Sequence, residues 1–305
     1  MKIESAIVIL IVLGLMLTGY AFGQTYTNQH NPQVQRDTAS LQQLEQKSVL
    51  KDMVLVPSGY FVFLNSPDGY GLIVYPENPV YLDSFYIDRN EVTNEMFAKF
   101  LNSGNDYCYS NRMKIIRDSS GVYGPADGHG NHPVVFVDYE SANAFAVWSG
   151  KRLPTEMEWE KAARGVSDEY GKVGESGVGF KYPWGDSLPD SSVANYVSGK
   201  PPGYAETTPA GFYDGTARNG FLTKDNSSIY GAYDMAGNVW EWTSSKLTPY
   251  NGETVPDDVF NLRVARGGSW KDASATLKVA TRIGFEDSIR LRNLGFRCVK
   301  DINKR

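Results

Sequence analysis

Two histidines three residues apart, His129 and His132 in HGNHPV, are a first grouping whose type and spacing suggest chemistry, because imidazole pairs hold transition metals. Such sites need three or four convergent ligands, and the two cysteines, Cys108 and Cys298, have no histidine close by in sequence, so neither the histidine pair nor the cysteines are read as a metal site. Glu156, Glu158 and Glu160 open a capped helix, where the dipole favours negative charge, and are read as structural rather than catalytic carboxylates. Gly267 to Ser269 is not a phosphate loop, since no Lys-Ser/Thr follows and no strand-loop-helix pattern surrounds it. There is also no Gly-x-Ser-x-Gly elbow to support a hydrolase. What remains is RVARGGSWKDASATLKVATR, Arg263 to Arg282, a Gly-Gly-Ser-aromatic turn leading into a polar stretch that holds no cysteine.

The elements that must position these groups are short. DMVLVPSGYFVF, Asp52 to Phe63, predicts two strands around the turn from Pro57 to Gly59. Val80 to Thr93 predicts a further strand, with Tyr81, Asp83, Phe85 and Ile87 on one face. NEMFAKFLNSG places Met96, Phe97, Phe100 and Leu101 on one helical face, with Thr93 or Asn94 to cap it and Gly104 to stop it. DYESANAFAVWSG repeats the pattern with Ala142, Phe145, Ala146 and Trp148, and ends at Gly150. LPTEMEWEKAARG carries a capping box, Thr155 with Glu158, and ends at Gly165. Beyond it Gly, Pro, Asn and aromatic residues dominate until RVARGGSW and LGFRCVK, two closing strands.

With 30 Gly, 15 Pro and 13% aromatic residues among 305, the composition points to a turn-rich globular fold. The net charge of −5 and the lack of any run of five like charges argue against nucleic acid and against a polybasic membrane patch. MKIESAIVILIVLGLMLTGYAFGQ sets Lys2 before an apolar run from Ala6 to Leu17 and small residues at Ala21 and Gly23, which reads as a signal peptide over residues 1–23. The alternative is an uncleaved anchor, in which case the chain meets a membrane; a lipoprotein anchor is not expected, since no cysteine lies near the cleavage point. Residues 24–50 read as a polar linker and 51–301 as the folded domain, placed outside the cytoplasm: periplasmic, cell-surface or secreted. The intervening length says nothing about whether Cys108 and Cys298 pair.

Several segments in order, MVLVPSG, FYIDRNEVTNEMFAKFL, HPVVFVDYESANAFAVWSGKRLPTEMEWEKAARG, YPWGD, YGAYDMAGNVWEWTSS, RVARGGSW and NLGFRCVK, resemble the formylglycine-generating enzyme (sulfatase-modifying factor) family from about Met53 to Lys300. The resemblance implies an α+β, C-type-lectin-like domain with low regular secondary structure and bound calcium. The family's calcium ligands match the side chains of Asp234 and Glu241 and the carbonyls of Gly237 and Val239; the bland reading is that the two acids cap turns while Trp240 and Trp242 build core. A second calcium site begins at positions resembling Asn195 and Tyr196, but the loop that follows, VSGKPPGYAETTPAG, lacks an evident matching Asp.

The family's enzyme oxidises a substrate cysteine through two copper-binding cysteines shortly after the Gly-Gly-Ser-aromatic motif. Here the first position falls close to Asp272 and the second near Ala275 to Leu277, and neither a carboxylate nor an apolar carbon replaces a Cu(I) thiolate, so copper is not expected. Cys298, in the GFRC strand, is read as a small buried residue. Three readings compete: a non-catalytic binding or scaffold protein for a protein or glycan partner, with an exposed aromatic and polar groove; a divergent extracytoplasmic maturation enzyme with another active site; and, least favoured, formylglycine generation itself. The sulfoxide-forming iron enzymes of related type are set aside, because three histidines leave no room for their iron site. The candidate pocket is Trp270, Asp272, Arg282, Asn293 and Arg297, with ion pairing as the bland alternative for the two arginines.

Overall fold

The computed structural model describes residues 50–65, 75–165, 180–247 and 261–302, all within the second of two compact units, Val49–Arg305. The signal segment and most of the linker, residues 24–49, lie outside the described residues. No helix among the described residues is long and apolar enough to cross a membrane.

Regular structure is short, as the Gly and Pro content requires. β1 (Met53–Val56) and β2 (Gly59–Asn65) flank the Pro57–Gly59 turn, followed by β3 (Tyr75–Leu82) and β4 (Phe85–Asp88). The single strand expected over Val80 to Thr93 is thus broken at Asp83 and Ser84: Tyr81 faces solvent beside Tyr60, while Phe85 and Ile87 turn into the core. β3 pairs with β2 and β4 with β1, so the break lets one sequence run serve two sheets. α1 (Asn94–Leu101), α2 (Tyr139–Trp148) and α3 (Glu156–Arg164) occupy the three predicted positions, capped by Thr93, Asp138 and Thr155. The Thr155–Glu158 capping box forms in both directions. Trp148, expected on the buried face of α2, is 46% exposed, and its ring packs at a tilt against Phe100 and Phe145.

Small hairpins β5 (Ile115–Arg117) with β6 (Tyr123–Pro125) and β7 (Ala217–Arg218) with β8 (Phe221–Leu222) decorate the domain. The central sheet has the order β11-β10-β9-β12, from β9 (Trp240–Lys246), β10 (Leu262–Arg266), β11 (Arg282–Glu286) and β12 (Leu294–Gly295). β13 (Val299–Asp301) leaves it to close the β1-β4 sheet. LGFRCVK, expected as one strand, is therefore two, in different sheets, with Phe296 to Cys298 turning through the core between them. α1, α2 and β9 enclose an aromatic core of Phe97, Phe100, Phe145, Trp242 and Phe296. Both cysteines are buried and free: Cys108 and Cys298 lie in this core without bonding to each other.

Candidate functional site

The segment after β10 carries the geometry of the site. Gly267 and Gly268 both have positive φ, at 99° and 70°, which turns the chain sharply off the end of the strand. A side chain at Gly268 would stand 2.9 Å from the Thr276 carbonyl, so the short 3₁₀ turn Ser274–Leu277 folds back onto the glycine pair. Leu277 is fully buried against Ala236 and Tyr196. Of the stretch Ala275 to Leu277, in which the resemblance places the second thiolate, Leu277 thus packs inward while Ala275 and Thr276 stay partly exposed.

Between these walls lies a compact polar cluster. Ser269 Oγ donates to Asp272 Oδ2 and accepts from Asn293 Nδ2 at 2.8 Å. Trp240 Nε1 donates to the same Asp272 oxygen at 2.8 Å. The backbone fixes each partner: Trp240 N reaches the Asn293 carbonyl, Trp270 N the Asn238 carbonyl and Val197 N the Asp272 carbonyl. Asp272 Oδ1 takes no part in this set, and buried Asn293 Oδ1 finds no hydrogen-bond partner among the described residues. Trp270 is only 5% exposed; Lys200 and Arg292 stand 4.8 and 4.9 Å from its ring centre, and Arg292 lies 3.6 Å from Glu206. This arrangement offers a carboxylate, a hydroxyl, an amide and two flanking cations, and it holds no sulfur. It can read a polar ligand by hydrogen bonds and charge, but it lacks the soft ligands that hold Cu(I).

Three of the five candidate pocket residues, Trp270, Asp272 and Asn293, are therefore brought together, and two are not. Arg282 Nε pairs with Glu156 at 2.9 Å. Glu156 and Glu160 also hold Arg266, and Glu160 holds Arg164, so the first turns of α3 anchor a buried ionic layer rather than merely decorating a helix start. Arg297 is fully buried and clasps both oxygens of Glu241 at 2.7 Å through Nε and Nη2, while Nη2 also reaches the Tyr233 carbonyl and Nη1 those of Asp88 and Arg89. An open aromatic groove at these residues is not formed, because their side chains are used to hold loops; among the described residues the exposed aromatic rings lie elsewhere, at Tyr60, Tyr81, Tyr107 and Trp148.

The segments predicted to hold calcium meet in one neighbourhood. Asn238 N donates to the Asn195 carbonyl, and Gly237, at φ 84°, presses so close that a side chain there would lie 2.6 Å from that oxygen. Asn195 also sends Nδ2 to the Glu206 carbonyl, while Tyr196 packs inward and donates its hydroxyl to the Pro189 carbonyl. The ligand set as expected is partly committed: Glu241 is taken by Arg297 and by Trp159 Nε1, and Asp234 accepts from Gly211 N and Asn226 Nδ2. No three acidic, His or Cys side chains converge as a metal cage among the described residues. The chemistry of the neighbourhood nevertheless suits a hard cation. Glu91, Asp234 and Glu241 are buried together against the single guanidinium of Arg297, and Glu91 Oε2 has no hydrogen-bond partner among the described residues. Burial, then the neighbouring Asp234 charge, pushes the Glu91 carboxyl well above its ordinary value, and burial raises Asp234 too.

Glu91 is not singled out by the sequence, Ser269 enters there only through the rejected phosphate loop, and Trp240 only as a core residue. Nothing local marks Glu91, whose burial comes from packing distant segments; Ser269 and Trp240 lie within the quoted family segments, and their hydrogen-bonding types were the available signal.

Residues 38–302 match the Sulfatase-modifying factor enzyme 1-like domain family. The serine/threonine-protein kinase Pkn1 of Chlamydia trachomatis is 34% identical over 278 residues, covering 86% of this chain and 40% of that protein. The chain thus spans less than half the length of this curated relative. The inactive C-alpha-formylglycine-generating enzyme 2 of Mus musculus is 37% identical over 177 residues, covering 56% of this chain and 50% of that one. The formylglycine-generating enzyme of Streptomyces coelicolor is 31% identical over 302 residues, covering 82% and 90%. Among solved structures, PvdO from Pseudomonas aeruginosa matches with a TM-score of 0.58 at 24% identity, covering 82% of this chain and 94% of that one, which shows a shared fold. With the ordered motifs, the α+β architecture and these matches in agreement, this chain belongs to the sulfatase-modifying factor family, the fold of formylglycine-generating enzymes.

Proposed function

We propose that this domain is an extracytoplasmic binding or scaffold module that holds a protein or glycan partner at the surface beside Asp272, where Lys200 and Arg292 flank Trp270 over the buried set of Ser269, Asn293 and Trp240, and that it does not oxidise cysteine. The observation that carries this reading is Asp272: close to the position resembling the family's first thiolate, its carboxylate is locked by Ser269 and Trp240, and the stretch near the second, Ala275 to Leu277, holds no thiol and packs Leu277 inward. Neither cysteine of the chain can serve instead, since both are buried in the core and burial raises both thiols above their ordinary value. Lys200 and Arg292 beside Trp270 favour a partner with acidic or hydroxyl-rich groups. The test is incubation of the purified protein with copper and a Cys-x-Pro-x-Arg peptide. No loss of mass at the cysteine is expected, and aldehyde formation at a useful rate overturns the reading.

A second reading, a divergent maturation enzyme, is favoured by one observation: Ser269 is aligned between Asp272 and Asn293, a hydroxyl beside a carboxylate. A structural calcium ion belongs to the same proposal. Asp234 and Glu91 would hold it, with the carbonyls of Gly237 and Val239, while Glu241, the other carboxylate implied by the resemblance, stays committed to Arg297; when bound it would supply positive charge to an acid-rich interior. Chelation is expected to lower the melting temperature, and Asp234→Ala to remove that sensitivity; an unchanged melt on chelation counts against the ion.

A further inference from the structure

The HGNHPV turn lies apart from the cluster around Asp272, and the way the fold holds it gives it a chemistry of its own. Asn94, fully buried at the start of α1, sends Nδ2 to the carbonyls of both His129 and His132, and its own N–H donates to His132 O at 2.9 Å. His132 N closes the turn on His129 O at 3.1 Å. The backbone of both histidines is therefore fixed, and their rings lie side by side with centres 5.0 Å apart.

The outer hydrogen bonds of the rings decide where their lone pairs are. His129 Nδ1 lies 2.8 Å from the Asp127 carbonyl, an acceptor only, so Nδ1 carries the proton and Nε2 the lone pair. His132 Nδ1 lies 2.9 Å from Thr207 Oγ1, which can accept the same way. No described residue is bonded to either Nε2. Metal-binding histidines are oriented in this manner, one ring nitrogen held by a carbonyl or hydroxyl and the other left for the ion. Charge nearby is mixed: Lys114 faces His132, and Glu95 Oε2 stands 3.9 Å from where a side chain on Gly130 would begin, between the two histidines.

We propose that His129 and His132 form a two-imidazole site that takes a borderline divalent transition ion of the zinc class through both Nε2 atoms, with water completing its shell. Two protein ligands make an exchangeable site rather than a structural one, whereas the expectation from sequence counted the three or four protein ligands of a structural site. The ion would also tie down the neighbouring loop, because Thr207 holds His132, Tyr204 packs 5.9 Å from its ring and Ala210 N donates to Asn131 O. That loop carries Lys200 and Glu206, at the edge of Trp270, but the metal site does not depend on the function proposed for the Asp272 cluster.

The test is calorimetric titration of Zn²⁺ into metal-stripped protein in buffer containing Ca²⁺, so that hard-oxygen sites are already filled. One ion per chain is expected to bind in the wild type, and His129→Asn to abolish that binding with the melting temperature unchanged. Thr207→Val keeps both rings and removes only the hydroxyl behind His132, and it is expected to weaken binding by about tenfold, as outer-shell partners do. Absence of Zn²⁺ binding in the wild type, or binding unchanged in His129→Asn, overturns the proposal. Unchanged affinity in Thr207→Val overturns the orienting role given to that contact.

Discussion

Arg297→Met is the perturbation that most directly tests how the interior is held. The guanidinium is fully buried, and it is the positive partner that Glu241, Glu91 and Asp234 share. Removing it leaves a buried Glu241 stripped of two hydrogen bonds and two further acids without an opposing charge. Breaking one side of such a pair costs about 3–5 kcal/mol, a large part of the roughly 5–15 kcal/mol by which domains are stable. The loss has a defined pH dependence. Burial is the largest cause raising both Glu91 and Asp234 above their ordinary values of 4.5 and 3.8, so each contributes stability below its unfolded value, and that contribution is lost as pH rises through the raised folded value. Arg297 works against that rise in both groups, so its removal lifts their folded values further and makes the variant more costly at pH 7.5 than at pH 5. Urea unfolding of wild type and variant at both pH values measures this, and adding Glu241→Gln to the variant should recover part of the loss. A difference below about 1 kcal/mol, or one equal at the two pH values, would refute the charge balance described here.

Two further outcomes follow from the backbone and the thiols. Gly237→Ala should cost about 2–4 kcal/mol in the same unfolding assay, because φ is 84° there and the new methyl would overlap the Asn195 carbonyl; a neutral effect would mean the two loops are less tightly opposed. Cys108 and Cys298 should stay unreactive towards a thiol reagent in the native protein and both should react once it is unfolded; rapid native labelling of either would contradict their burial.

The helices were legible because each carries its own signals. Thr93, Asp138 and Thr155 cap where local rules place caps, and the apolar spacing of α1 sets Phe97, Phe100 and Leu101 inward. Strand identity was less legible: the alternation through Tyr81, Asp83, Phe85 and Ile87 continues across Asp83 and Ser84, and only pairing with β2 on one side and β1 on the other shows that the chain changes sheets there. In the candidate site, Asp272, Asn293 and Trp270 were found because they flank a recognisable motif. Arg282 and Arg297 share that stretch of chain but point into separate ion pairs, and no local pattern distinguishes an arginine aimed at a ligand from one aimed at a buried glutamate. Glu91 is the extreme case, a charged residue in a polar sequence whose interior position depends on segments more than a hundred residues away, through Asn238.

β13 has a consequence for how this domain comes into being. Cys298 N donates to Asp88 across 210 residues of sequence, and Val299 pairs with Ile87 in a sheet whose other strands are β1 and β4. The first sheet to leave the ribosome is thus the last to be completed, and β1 and β4 must wait with one edge unpaired until nearly the whole domain has been synthesised. Contacts this distant slow folding and leave strand edges open to wrong partners, so damage confined to β13 would be felt at β1 and β4, more than two hundred residues earlier.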